Sequence, residues 1–478
     1  MKRFILFATN SVLENLKKGS ILASVLLLIL LWMGLATPNI PAAHAASPSG
    51  VYYVSPSGSN SNSGNITSPY ATIDHAVANA TWYYSKYATE PTVLVAPGTY
   101  NEMVNFTIPL KLMSESGQPA NTIINATGKL EGIVAATSAA AGTVIEGFTV
   151  ENANNHGIFI QDSSNVRVEN NVVSNNALNI TDQCIVPAKL QGCPGEDKAI
   201  QLTGTSDSIV AGNTVVGNLY GGIGVADDGA LDPSYNVTLA PGSGIPAGTA
   251  NPGNNNLISG NSITNNRPNH CAIVISSYDP NEGVSNNIVS GNVVVDNQNG
   301  VIIAADYPNT IAVNNTIIGN QILGNGEGGV IVHSNAAGDV VTGNSILNNV
   351  FDSNGYQPTL EGVIVGGEDS SVPAHNTLVM DNTFEEEAIG IDVVSGVNTT
   401  VGGNIFEATV PTPINVTSGS VTTITTPTTT VSSSSNSQAQ TAMYLSYAAV
   451  AIALVFGGVA IYLATKRKTP TAPPPTTN

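Results

Sequence analysis

Asn292-Val-Val-Val-Asp-Asn-Gln-Asn-Gly-Val-Ile-Ile303 holds, in one short stretch, the phrase from which most of this chain is built. It opens with Asn-x-(Ile/Val/Phe) and closes with Gly/Ala-(Ile/Val)-x-(Ile/Val/Leu). The opening half recurs with its leading Asn at Asn171, Asn213, Asn261, Asn292, Asn320, Asn344, Asn382 and Asn404. The closing half recurs from Gly157, Ala199, Gly222, Ala272, Gly300, Gly329, Gly362 and Gly390. The two series interleave strictly, so each repeat reads as two short alternating strands joined by Asn, Ser and Gly turns. Steps of roughly 22–50 residues without a helical period mark a stacked-strand solenoid.

One such repeat is too thin to fold alone. Stacked about 4.8 Å apart, coils satisfy each other's backbone groups and align inward Ile, Val and Leu. Asn repeated at one corner suits a ladder in which each amide donates to one neighbouring coil and accepts from another. Glycine ahead of the second strand permits a tight corner where a Cβ would clash. The low aromatic content, 5%, agrees with a narrow core filled by branched aliphatics. The expectation is an all-β chain, a right-handed parallel β-helix solenoid with an N-terminal cap helix and a C-terminal transmembrane helix. A β-sandwich would not produce two interleaved series.

The repeats resemble those of the pectate-lyase-like β-helix superfamily across residues 50–410. The N-terminal part adds a second match: Val51-Tyr-Tyr-Val-Ser-Pro-Ser-Gly-Ser-Asn60, Ser68-Pro-Tyr-Ala-Thr-Ile73 and Val93-Leu-Val-Ala-Pro-Gly-Thr-Tyr-Asn-Glu102. This arrangement resembles the cap and first coil of secreted β-helix proteins, some polysaccharide lyases among them. The family often has Asp at the position of Asn60, so a carboxylate is missing from any cation site there. Ile73 to Lys86 reads as a short amphipathic helix that plugs the open end of the solenoid and protects its strand edge. The resemblance implies the fold far more than any activity.

The domain organisation follows from composition. Residues 1–46 read as a signal peptide: Leu22–Leu35 is apolar, preceded by Lys17 and Lys18 and followed by the small-x-small Ala43-His-Ala45, with a retained signal anchor as the alternative. Residues 47–130 are the cap and first coils, and 131–415 the repeats. Residues 416–441, rich in Thr and Ser and without charge, read as an extended stalk. Ala442–Ala464 is almost wholly apolar and, at roughly 34 Å as a helix, long enough to span a bilayer. Lys466-Arg-Lys468 follows, which puts the tail 465–478 in the cytoplasm and the β-helix at the cell surface. Sequons at Asn65, Asn79, Asn105, Asn125, Asn179, Asn236, Asn314, Asn398 and Asn415 agree with export, although an Asn/Thr-rich chain also produces them by chance. A formal charge of −19 argues against nucleic acid and anionic lipid as partners. Cys184 and Cys193 flank one large insertion and are placed for a disulfide outside the cell. Cys271 reads as a small buried residue.

Loop insertions gather on two edges of the closing strand. The edge after it carries Asp162, Asp207, Asp227 with Asp228, Asp279, Asp306, then Glu368 with Asp369. Carboxylates stacked about 4.8 Å apart repel by roughly 0.9 kcal/mol per pair even in water, and such a row invites a hard cation, Ca²⁺ by preference. The candidate metal ligands are Asp227, Asp228, Asp279 and Asp306. The plainer reading is that Asp is a good turn residue at strand ends. The edge before the strand presents His156, Asp197 with Lys198, Tyr220, and Arg267 with His270. The resemblance implies a lyase chemistry in which Ca²⁺ acidifies the proton beside a uronate carboxyl and Lys or Arg removes it. Lys198 and Arg267 are the basic residues placed to do so, with His156 and His270 beside them; a surface pair with Glu196 or Asp197 is the plainer reading for Lys198. A polygalacturonase-like reading fails because His156 precedes the Asp pair and no Arg-x-Lys occurs in the solenoid. Copper binding fails on dispersed His and scarce Met.

Three functions compete. The first is a membrane-anchored extracellular β-helix that binds polysaccharide or serves in the cell envelope. The second is a Ca²⁺-dependent polysaccharide lyase or epimerase acting on uronic-acid polymers. The third is homotypic adhesion through the smooth faces of the solenoid.

Overall fold

The computed structural model describes residues 49–178, 198–227, 251–266, 271–278, 282–305, 307–355, 360–367 and 372–424. The expected signal, the cysteines Cys184 and Cys193 placed for a disulfide, and the apolar run Ala442–Ala464 lie outside them. Among the described residues no helix is long and apolar enough to cross a membrane.

The described chain winds through three parallel sheets, which hold 17, 11 and 11 strands. A single coil shows the path: Ile209–Ala211 in the first sheet, Thr214–Val216 in the second, Ile223–Ala226 in the third. From Val284 onward the first sheet takes two segments per coil, as in Ile311–Val313 and Thr316–Ile318. A coil therefore carries three or four strands where the repeat phrase suggested two. The short segments escape notice because each holds a single inward residue, and one apolar residue shows no alternation.

Strand side chains alternate between core and exterior. In the third sheet Ile160, Leu202, Val225, Ile275, Ile303, Val332, Val365 and Val393 form one inward column, each at most 1% exposed. Burying one such side chain is worth about 1.5–3 kcal/mol. The repeated glycines are required by space. A Cβ on Gly329 would lie 2.6 Å from a Phe351 ring carbon, one on Gly362 2.6 Å from Phe384, and one on Gly390 2.5 Å from Phe406. Those three rings stack through the core with centroids 4.9 and 5.0 Å apart.

Asn ladders stitch the coils together as the corner Asn suggested, and the described residues form three of them. One runs Asn171, Asn213, Asn261, Asn292, Asn320, Asn349, Asn382, Asn404. At each rung one amide oxygen accepts two donors: Asn320 Oδ1 takes the backbone N–H and Nδ2 of Asn292, both at 2.9 Å. Asn320 Nδ2 in turn donates to the Val289 carbonyl and to Asn349. Asn344 belongs to the neighbouring ladder of Asn256, Asn287, Asn315 and Asn344. The sequence reading put it in the wrong column because Asn344-Ser-Ile and Asn349-Val-Phe both satisfy the phrase. The third ladder runs from Asn176 to Asn354 and ends on a carboxyl, Glu387.

Near the start, helix α1 (Ile73–Tyr87) buries Ile73, Ala76, Val77, Ala80 and Tyr83 in the same core as the first strands. Its N-terminal N–H groups are satisfied from a distance: Glu102 accepts from Ile73 and Asp74 at 2.9 and 2.8 Å. Asn60 Oδ1 accepts from Ala71 and Thr72. Here Asn60 closes a turn at the helix start, which accounts for its place in the N-terminal motif. Asn79 is buried on α1 and donates to the His75 carbonyl, 2.9 Å, so that sequon is closed. At the other end Gly419–Ile424 pairs with Gly396–Gly402, carrying the ladder into the first part of the stretch expected as a stalk.

Candidate functional site

The chemistry gathers on the outward side of the third sheet, over the coils that contain Ile158–Gln161, Ile200–Thr203, Ile223–Ala226 and Cys271–Ser277. Register defines its columns. Phe159, Gln201, Gly224 and Val274 are successive partners. So are Gln161, Thr203, Ala226 and Ser276. Two residues ahead of each strand a third column runs Glu131, His156, Lys198, Gly221, then Cys271 paired with Asn299.

This side of a sheet ordinarily meets water, yet its polar groups are withdrawn from it. Gln161, Gln201, Ser276 and Lys198 are at most 1% exposed, and Thr203 is 6% exposed. Lys198 lies flat along the sheet, made possible by two glycines in the next coil. A Cβ on Gly221 would lie 2.8 Å from Lys198 Cδ, and one on Gly224 would lie 2.8 Å from Lys198 Cγ and 2.0 Å from Gln201 Oε1. The Lys198 side chain is therefore interior; Glu196 and Asp197, its alternative partners, lie outside the described residues.

His156 is also interior, 6% exposed. Its backbone N–H donates to Glu131 Oε2 at 2.8 Å, and its Nδ1 lies 3.0 Å from the same oxygen. Phe159 stacks on the imidazole at 4.6 Å, the two rings nearly parallel. The carboxylate and the ring fix the orientation of the imidazole. Glu131 was not singled out from the sequence, although Glu131-Gly-Ile133 repeats the form of His156-Gly-Ile158 one coil earlier. Running the glycine series back one step would have found it.

The acid edge is not a continuous row among the described residues. Asp162 and Asp227 share a column, but Gly204 stands between them. Asp207 falls in another column, since Ser206 pairs with Ser164 and Asp207 therefore follows Asn165. Both Asp162 and Asp207 adopt positive φ, 51° and 56°, the left-handed conformation that Asp tolerates at turns. Asp227 is 1% exposed, accepting from Ser277 Oγ at 2.5 Å and the Tyr278 N–H at 2.7 Å. Both of its oxygens thus serve protein donors. Among the described residues no group of three His, Cys, Asp or Glu is placed to hold a metal. Asp228, Asp279, Asp306, Arg267 and His270 lie outside the described residues.

Arg167 is exposed on its strand and bound to Glu169 at 2.8 Å. Cys271 is buried, and its Sγ lies 3.6 Å from Asn299 Nδ2.

Residues 114–317 match the family described as "Right handed beta helix region". No curated protein matches the chain in sequence. Solved structures of similar form include the A-module of the Azotobacter vinelandii mannuronan C-5 epimerase AlgE4, at 15% identity and a TM-score of 0.47 over 73% of this chain and 96% of that one. An alginate lyase from Paenibacillus gives 14% and 0.39 over 72% and 96%. PfbA, a surface adhesin of Streptococcus pneumoniae, gives 14% and 0.42 over 76% and 93%. Likenesses at this level carry no argument about chemistry.

Proposed function

We propose that this chain, a right-handed parallel β-helix protein of the pectate-lyase-like kind, binds extended polysaccharide outside the cell on the outward side of its third sheet. One observation carries the reading: Gln161, Gln201, Thr203, Ser276 and Lys198 occupy adjoining columns there, buried yet pointing away from the core. Farther along the same side the Gln201 column continues as Val274, Ile302, Ile331 and Ile364. Polar groups repeated at about 4.8 Å on a rigid sheet meet the hydroxyls of an extended sugar chain one after another. The stalk and Ala442–Ala464 complete the reading as tether and anchor at the cell surface, with helix α1 as the N-terminal cap.

The test is affinity electrophoresis of the full chain through gels containing alginate, polygalacturonate or a neutral β-glucan. Retardation in at least one gel, weakened about tenfold in Kd by Lys198→Met or Gln161→Leu, is expected. Unretarded wild-type protein in every gel would reject the proposal.

The column Glu131, His156, Lys198 favours a second reading, a lyase or epimerase on uronic-acid polymers. An imidazole oriented by a carboxylate and a lysine one coil away are proton-transfer groups by type. Ca²⁺, when bound, would stabilise charge beside the uronate carboxyl, but no step is assigned to it because the described residues do not form its site. Absorbance of unsaturated uronate ends during incubation with alginate and Ca²⁺, abolished by Lys198→Met, separates a lyase from a binding protein.

A further inference from the structure

We infer that Gln201, seated by Gly224, is a hydroxyl-reading subsite, and that Gly224 is its positioning residue. The inference rests on the polysaccharide reading and names the contact that selects the ligand.

Gln201 is 0% exposed. Its Nε2 donates to Thr203 Oγ1 at 3.1 Å and to the Leu202 carbonyl at 3.4 Å. Its Oε1 is buried and has no hydrogen-bond partner. Leaving a buried acceptor without a donor is costly, and a folded protein retains such a group rarely. Exchanging the amide oxygen and nitrogen does not remove the problem, since the nitrogen would then take the unpartnered position. A ligand hydroxyl both donates and accepts, so it satisfies the amide in either orientation, which neither a cation nor a carboxylate does. Sugar hydroxyls are the chemical class that fits.

Gly224 makes the arrangement possible. The side chain of Gln201 lies across it so closely that a Cβ there would meet Oε1 at 2.0 Å. The amide is therefore held down against the next coil, and Lys198 is laid beside it by the same glycine. A second acceptor of the same kind, Asn299 Oδ1, is buried and unpartnered three coils farther along this side. At about 4.8 Å per coil the two columns are separated by ~14 Å along the axis, a span for an extended oligosaccharide and not for one sugar. Gly221 and Gly224 lie between, where missing side chains keep the surface low.

Two explanations predict opposite results for Gln201→Met, which keeps the length of the side chain and deletes the amide. If Oε1 receives a sugar hydroxyl, affinity for whichever polymer retards the wild type (alginate, polygalacturonate or β-glucan) falls at least about tenfold. Gln201→Glu retains an acceptor and keeps measurable retardation, and Gly224→Ala loses it as Gln201→Met does. If Oε1 is only a packing defect, Gln201→Met raises the thermal midpoint of the full chain and leaves retardation unchanged. That result overturns the inference while leaving polysaccharide binding intact. A wild-type chain that no gel retards removes the binding reading and this subsite with it. A Gly224→Ala chain that is folded by circular dichroism and still binds like wild type removes the positioning role.

Discussion

Glu387 ends an Asn ladder with the wrong kind of group, and the consequence can be measured. Asn354 donates to it through Nδ2 at 2.8 Å and through its backbone N–H at 3.1 Å, as each Asn donates to the next rung elsewhere. The carboxyl is 1% exposed, and burial pushes its pKa from 4.5 up to about 8. The charges of Asp352 and Glu361 push the same way, against the Asn354 hydrogen bonds. A carboxyl whose pKa is raised in the folded state holds a proton that the unfolded chain has already released. Its contribution is therefore complete below pH 4.5, declines as pH rises, and is lost once pH passes about 8. At 1.36 kcal/mol per unit the full loss is roughly 3–5 kcal/mol. Glu387→Gln keeps the shape, offers a neutral oxygen to Asn354 and does not titrate. Urea unfolding of both full-length proteins from pH 5 to 9.5 should give nearly equal midpoints at pH 5 and a variant increasingly more stable toward pH 9. Subtracting one protein from the other cancels Glu361, Glu385 and Asp392, which burial also shifts upward. A difference that stays flat across the range would falsify the assignment, because Glu387 would then titrate alike in both states.

Thr377 stands where the ladder of Asn344 should continue, and its Oγ1 is buried without a partner. Thr377→Asn is expected to supply the missing rung and raise stability by about 1–2 kcal/mol in denaturant unfolding, since each net hydrogen bond contributes about 0.5–1.5. Phe384→Ala should cost about 3–5 kcal/mol by emptying the middle of the phenyl stack. Gly362→Ala alone should cost about 1–3 kcal/mol by driving a methyl into that ring. The double variant should be less damaging than the sum, because the new methyl then enters the cavity; strict additivity in the cycle would argue that the two do not touch. Glu131→Ala strands the His156 N–H and Nδ1 in a buried site and should cost about 2–4 kcal/mol, with the ¹⁵N signals of that imidazole showing a changed proton position. Unchanged ¹⁵N shifts would contradict the orienting role of the carboxylate.

What could be read from the chain is what repeats. Gly157 through Gly390 fall in one column because the corner leaves no room for more than a methyl, and Ala199 and Ala272 mark that limit. Asn344 went astray because neighbouring corners obey the same hydrogen-bond rule and so carry the same residue. Asp207 went astray for another reason. Turns of unequal length separate the strands, so distance along the chain from one strand end does not give the column, and only the pairing of Ser164 with Ser206 shows where Asp207 falls. The candidate site lies where the rules of the repeat are broken. Nothing about stacking coils calls for Gln201 and Lys198 at outward positions that later coils fill with Ile302 or leave to Gly328, nor for a glycine at Gly224 where Val274 follows. Each departure has a physical consequence on its own: an unpaired amide oxygen, a cation laid out of water, a missing Cβ beneath both. Their coincidence within two adjoining coils is harder to attribute to drift than any one of them. Buried oxygens without a partner also occur at Ser163, Ser334, Thr377 and Thr399, so what sets Gln201 apart is its outward position beside Lys198 and over Gly224, not the missing partner alone.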